Sequence, residues 1–271
     1  MVKFACHAFH PYFIALKRTS AKIREFVLPG STPGASTIPK IAFEPSSPLS
    51  CGGRMFFKFA NNTDKDSVAS RMRQQRLQRF LDLIPKDLPV VRILDVGGTS
   101  ASWAQTELPA NCEVTLLNLE AETAPLPRFT SVAGDARKMP QFRDRAFDLG
   151  YSNSVIEHVG TLFDQMAMAA EIRRICRGYF VQTPNRHFPL EPHFLIPCWQ
   201  YLPVGLRRRW LQNRDLGWMK CEPDPLRAQA EVEQIRLLTA REMRLLFPDA
   251  KLWRERLGPF TKSLVAWKAA P

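Results

Sequence analysis

The sequence predicts an α/β protein: an open, mostly parallel sheet with helices on both faces and an antiparallel hairpin at its end. Three observations carry that reading. Short apolar runs alternate with helical patterns from about residue 67 onward. One of the first runs, "VVRILDVGGTSASW" at residues 90–103, passes from a buried-type strand through an acid and paired glycines toward a helix. Two strand-like runs near the end, "AKLWRERLG" and "TKSLVAWKA", are separated only by a turn at Gly258 and Pro259, so they must fold back on each other.

The 271 residues, 45% of them hydrophobic, suffice for one sizeable core. Residues 29–53 concentrate Pro, Gly and Ser with little apolar content, which places a boundary near Met55. We therefore read a basic Pro/Gly/Ser-rich extension at 1–54 and a folded domain at 55–271. From Ser67, "SVASRMRQQRLQRFLDLIP" turns Val68, Met72, Leu77, Phe80, Leu81 and Ile84 to one helix side. Its arginines fall on the other side, to touch phosphates or to face solvent, and Pro85 ends it. Strands follow at "VRILDV", "EVTLLNL", "FTSVAG", "FDLGYS" and "GYFVQT", with helices from Ala101 to Glu107 and from Leu162 to Arg177. Thr239 and Glu242 form a capping box that opens a last helix at "TAREMRLLF".

Net charge is +12, and residues 1–80 carry 13 Lys or Arg against 4 Asp or Glu, so the excess is mostly N-terminal. Such an arm suits an anionic partner or plain solvation. Six cysteines with no Cys-x-x-Cys pair signal neither a zinc framework nor a disulfide scaffold, and a reducing, cytoplasmic setting is the expectation. No run of some 18 apolar residues occurs, so no transmembrane segment is expected, while contact with a membrane surface stays open. The first residues make a poor secretory signal.

Strand, acid and glycines put free backbone N–H groups and a carboxylate at the carboxyl end of a strand, where open α/β sheets bind ligands. Asp95, Gly97, Gly98 and Thr99 stand there. Thr99 takes the place of the second spaced glycine of a dinucleotide fingerprint, so a pyrophosphate cradle is not expected.

In order and spacing, "ILDVGG", "VTLLNLE", "AGDARKMP", "FDLGYSNSVIEHV" and "KSLVAWK" resemble a class I S-adenosylmethionine-dependent methyltransferase of type 11, the UbiE/UbiG-like group. The resemblance spans about Val91 to Lys268. It implies a Rossmann-like, doubly wound seven-stranded sheet, methyl transfer, and S-adenosyl-L-methionine as cofactor. It further implies that Asp95, Gly97, Gly98 and Thr99 wrap the methionine part of the cofactor. Asn118, Leu119 and Glu120 would meet its ribose, although Asn118 stands where the family has an acid. Gly134, Asp135 and Ala136 would reach the adenine, and Asn153 and Ser154 would border the methyl-donor end. Plainer roles exist for the acids: Asp95 as a helix cap, Asp135 as a turn former, Glu120 as a solvated side chain.

A sulfonium methyl is already activated, so the protein has to align a nucleophile, exclude water and take a proton. His158 is the nearest candidate base, or else a structural partner of its loop. The segment "TPNRHFPLEPHFLIPCWQYLP" after the fifth strand opens an aromatic cap at 184–238 and brings Asn185, Arg186, His187, Glu191 and His193 close in sequence. In one reading Glu191 and a histidine, His187 or His193, orient an acceptor hydroxyl; in the other the cap is packing. No metal is expected, although two histidines and a carboxylate are a legitimate ligand set. Arg207, Arg208 and Arg209 beside Trp210 are expected on a solvated face, the alternative being contact with a phosphate-bearing or membrane-linked acceptor at the cleft rim. The acceptor is read as a small-molecule or glycan-type hydroxyl, with nucleic acid not expected as partner. The competing reading is a non-catalytic or nucleic-acid-binding protein that keeps the fold.

Overall fold

The computed structural model describes residues 67–271, apart from 105, 124 and 125. The proposed extension at 1–54 and its boundary at Met55 lie outside the described residues. Helix α1 (Val68–Leu81) begins at Ser67, whose side chain accepts the Ser70 N–H. It loosens into tight turns through Ile84, ahead of Pro85, whose ring disfavours helix in the residue before it. Strand β1 (Val91–Val96) follows, then a short α2 (Ser100–Trp103) in place of the longer helix expected at 101–107. Strands β2 (Cys112–Asn118), β3 (Phe129–Ala133) and β4 (Phe147–Asn153) come next. A 3-10 turn at Ile156–His158 leads to α3 (Leu162–Ile175), opened by a capping box of Thr161 and Asp164. That helix passes directly into β5 (Cys176–Pro184), two residues earlier than expected.

Beyond β5 come the two-residue strands β6 (Leu190–Glu191) and β7 (Ile196–Pro197), then α4 (Val204–Asn213) and α5 (Pro225–Glu233). Helix α6 (Ala240–Leu246) carries the expected Thr239/Glu242 capping box. The hairpin β8 (Lys251–Leu257) and β9 (Phe260–Lys268) closes the chain.

One seven-stranded sheet results, in the order β3-β2-β1-β4-β5-β9-β8. Strands β1 to β5 run parallel, and β9 enters antiparallel between β5 and β8. The inner strands are buried nearly throughout, as a sheet covered on both faces requires. On one face Phe80 of α1 packs with Trp103, Tyr151, Phe180 and Val265. On the other, Met168, Ala169 and Ile172 of α3 pack with Leu94, Val181 and Met243. A third, smaller cluster, with Phe194, Trp199 and Leu211 at its centre, is confined to residues 194–235 after β5. Sheet reversal between β1 and β4 leaves a crevice at the strands' carboxyl ends.

Among the described residues no helix is long and apolar enough to cross a membrane.

Candidate functional site

The crevice holds a cavity of about 550 Å³. Its lining runs from the glycine turn after β1 to the first part of the segment after β5, and takes in Asp95, Gly97, Gly98, Thr99, Asn153, Ser154 and His193. The turn is built around Asp95. Gly97 has φ 82°, a left-handed conformation that favours glycine, and a Cβ on Gly98 would stand 1.8 Å from Asp95 Oδ2. The Asp95 carboxyl is 2% exposed and accepts the Trp103 indole N–H at 2.7 Å. Burial pushes it up to about 7, against that hydrogen bond. Thr99 caps α2, its side chain accepting the Ser102 N–H.

At the end of β2 the geometry departs from the sequence expectation. Asn118 is buried and donates its side-chain amide to the Gly98 carbonyl at 2.8 Å, while its Oδ1 has no partner among the described residues. It thus ties β2 to the glycine turn. Glu120 is exposed. Two residues on, Glu122 accepts both the backbone N–H and the hydroxyl of Ser100, at 3.0 and 2.7 Å, holding the first turn of α2. Spacing from the strand end favoured Glu120, and nothing local distinguishes Glu122, whose partner is 22 residues away.

Asp135 is also spoken for. Arg137 reaches it with Nε and Nη2, at 3.0 and 2.6 Å, and bridges on to Asp164 at 3.1 Å. The Arg137 contacts, against the cost of burial, hold the Asp135 carboxyl below its ordinary value. Neither Asn118, Leu119 and Glu120 nor Gly134, Asp135 and Ala136 belong to the cavity lining.

At the other end the candidate catalytic residues divide. Glu191 is 2% exposed, and its Oε2 accepts the backbone N–H groups of His193 and Phe194 at 2.8 and 2.7 Å. Oε1 lies 2.6 Å from His193 Nδ1, so the imidazole keeps its proton on Nδ1 against the carboxylate and presents Nε2. That Nε2 is 3.1 Å from Nε2 of His158, with the rings nearly perpendicular. Burial works to lower His193, but the Glu191 charge and hydrogen bond outweigh it and raise the ring above its ordinary value. Burial, helped by His193, holds His158 well below. With its own proton on Nδ1, His193 accepts at Nε2 from the Nε2–H of neutral His158. Beneath them Glu157 is fully buried and accepts the Thr183 hydroxyl on Oε2 at 2.9 Å; Oε1 has no partner among the described residues. Burial pushes this carboxyl up to about 7. Donor atoms of Glu157, His158 and His193 all lie within 4.8 Å of one another. The hydrogen bond from His158 to His193 accounts for the contact between the histidines.

His187 corrects the sequence expectation. It is exposed, and its Nδ1 lies 2.9 Å from the Tyr201 hydroxyl, away from Glu191 and outside the cavity lining. Asn185 and Arg186 do not join the histidines either. Asn185 donates to the Thr261 carbonyl at 2.8 Å, and Arg186 lines a second cavity of about 630 Å³. The expected solvated face of α4 is also partly wrong. Arg207 and Arg208 are half-buried, Arg207 donating to the Val232 carbonyl at 3.2 Å, because α5 packs beside α4. Sequence reasoning missed Trp103, Tyr151 and Gln182 in the lining; Gln182 accepts the Ser154 hydroxyl at 2.9 Å.

Residues 94–180, which run from β1 to β5 and include the glycine turn, match the family model described as "Methyltransferase domain". Over that stretch the chain is similar to a methyltransferase domain. A search of curated proteins finds no match. Among solved structures, the chain is similar to a putative zinc-dependent alcohol dehydrogenase from Rhodobacter sphaeroides, at 10% identity and a TM-score of 0.42, covering 70% of this chain and 87% of that one. Phosphoethanolamine N-methyltransferase 2 of Haemonchus contortus, in complex with S-adenosyl-L-methionine, is 15% identical with a TM-score of 0.42; the match covers 67% of this chain and 38% of that one. The PH0226 protein of Pyrococcus horikoshii is 16% identical with a TM-score of 0.41, covering 83% and 100%.

Proposed function

We propose that this methyltransferase moves a methyl group to a hydroxyl of a small-molecule or glycan-type acceptor, with His193 taking the hydroxyl proton. The observation that carries the reading is a single cavity lined by the Asp95–Thr99 turn and by a histidine backed by a buried carboxylate.

The residues fit the cofactor. Gly97 and Gly98 leave the backbone open to close approach, Asn153 and Ser154 add polar atoms to the lining, and Asn118 Oδ1 is a buried acceptor with no donor among the described residues. Asp95, Gly97, Gly98 and Thr99 would hold the methionine part, and Asn118 with Leu119 and Glu120 the ribose. Gly134, Asp135 and Ala136 would hold the adenine. When bound, S-adenosylmethionine supplies a methyl group on a sulfonium. The chain's own task is acid–base and positional. Glu191 fixes the His193 tautomer, so the basic Nε2 is the atom available for a proton, while His158 holds the ring edge-on. Trp103, Tyr151, Phe188 and Trp218 give the cavity apolar walls that exclude water. A histidine base suits an oxygen nucleophile, whose proton must leave as the bond forms.

Calorimetry with S-adenosylhomocysteine, and transfer of labelled methyl from S-adenosylmethionine into fractionated small molecules and glycans, test this together. The wild type binds at one site; Gly98→Ala, whose Cβ would collide with Asp95, weakens binding by about 1–3 kcal/mol. His193→Ala keeps the affinity but loses about 100-fold or more in turnover. Equal turnover in folded His193→Ala removes the base, and wild-type affinity in Gly98→Ala removes the cofactor turn.

A further inference from the structure

Three cations line the cavity: Arg73 and Arg76, one turn apart on α1, and Lys262 on β9. Sheet order separates β9 from β1, which carries the glycine turn, by β4 and β5. Lys262 adjoins the start of the cap, its carbonyl accepting the Asn185 N–H at 2.9 Å. The cations therefore belong to the acceptor side of the crevice.

Their charge is poorly answered. Arg76 is 6% exposed and stands 3.5 Å from Glu255 Oε1 on β8, and its Nε has no hydrogen-bond partner among the described residues. Neither Arg73 nor Lys262 has an ion pair among the described residues; Lys262 Nζ rests 3.6 Å from the Met72 sulfur. Glu255 lies outside the lining, and the carboxylate within it, Asp95, is engaged by Trp103. Burial, then Arg76, lowers the Arg73 guanidinium, and burial, then Arg76, brings Lys262 down to about 8, with Glu255 working the other way. Both shifts come first from burial and second from the like charge of Arg76. By composition residues 1–66 are themselves basic, with nine Lys or Arg against Glu25, Glu44, Asp64 and Asp66. Around the cations the walls are apolar, with Phe188, Leu190, Leu257 and Phe260.

We infer that this side of the cavity binds an anionic group of the acceptor, a phosphate or carboxylate carried on an apolar body, through Arg73, Arg76 and Lys262. The inference rests on the methyl-transfer reading for the word acceptor, but the anion site itself does not. Two guanidinium forks and an ammonium match the oxygens of such groups, and an arriving anion relieves the repulsion among them. The acceptor is thus an amphiphilic anion with its hydroxyl directed toward His193.

Calorimetry on the full chain, with and without saturating S-adenosylhomocysteine, tests this with phenyl phosphate, benzoate and benzyl alcohol as probes. Arg76, tied to Glu255, is left intact so that folding is not put at risk. Phenyl phosphate or benzoate binds at least about tenfold more tightly than benzyl alcohol, and the tighter of the two identifies the anion. Arg73→Gln and Lys262→Gln each weaken the anion by about fivefold or more, keep the S-adenosylhomocysteine affinity within about twofold and melt like the wild type. Arg244→Gln, on the exposed side of α6, changes nothing. Equal binding of the three probes overturns the proposal, as does wild-type anion affinity in both folded variants. Loss of S-adenosylhomocysteine affinity in step with the anion also overturns it, by assigning the cations to the cofactor's own carboxylate. If S-adenosylhomocysteine fails to bind while the charge-dependent anion binding persists, the anion site stands and the methyl-transfer reading falls.

Discussion

Glu191 directs three hydrogen bonds to the two residues that follow Pro192: two backbone N–H groups on one oxygen, the His193 ring on the other. Its charge raises His193, so replacing it with the neutral amide lowers the ring's affinity for a proton. The pH profile of kcat/KM in Glu191→Gln then rises at lower pH than in the wild type, with a loss of about 10–100-fold at the plateau. A profile that keeps its position would mean that Glu191 only folds the loop. Glu157 gives a second test, of stability. Its folded carboxyl stands at about 7 against an ordinary 4.5, so the folded state retains the proton. The stability this contributes is full below pH 4.5 and lost as pH rises through about 7, a change worth roughly 3 kcal/mol. Glu157→Gln keeps an oxygen for the Thr183 hydroxyl and escapes that cost. It therefore melts with the wild type at pH 4 and above it at pH 8; coincident melts at pH 8 would refute the unpartnered oxygen. How far such residues were legible depended on distance along the chain. Asp95 and Gly98 touch within three residues and were readable from "DVGG". The pairing of His193 with His158 spans 35 residues, and Asn118 gives no local sign that it will serve the Gly98 carbonyl instead of a ribose.

At the scale of elements, periodicity identified the strands and the final hairpin, because alternate and continuous burial leave a mark in composition. It misjudged α1 for the same reason it found it. Arginine reads as solvent-facing, yet Arg76 is buried against Glu255, 179 positions away on an edge strand that no helical pattern announces. Within the aromatic cap at 184–238, the stretch from Phe194 to Ile235 has a core of its own. Trp199 is 1% exposed at its centre, 4.4 Å from the Phe194 ring and 6.1 Å from Trp210. Emptying that position costs about 3–5 kcal/mol of local packing. We expect Trp199→Ala to loosen the segment that holds Glu191 and His193 while the Asp95–Thr99 turn, on a different cluster, still binds S-adenosylhomocysteine within about threefold. Protease nicking between residues 186 and 238, with cofactor binding retained, is the readout; loss of both together would show one cooperative unit.

For the whole molecule, among the described residues the sheet and its two flanking clusters draw on positions from Leu77 to Ala270, which supply hydrophobic stabilisation. Residues 1–54 have no continuous apolar period and hold seven Lys or Arg against Glu25 and Glu44. An arm of that composition contributes charge more than burial, and charge of one sign acts at long range and is screened by salt. We therefore expect a chain shortened by residues 1–54 to keep a cooperative thermal transition within about 5 °C of the full protein and to bind S-adenosylhomocysteine equally well. Its retention on heparin falls at low ionic strength, and the difference from the full chain closes in high salt. Loss of the cooperative transition after truncation would place the arm in the core, and an unchanged heparin profile would show that the positive charge of the folded domain, Arg73 and Lys262 included, governs the attraction of anions instead.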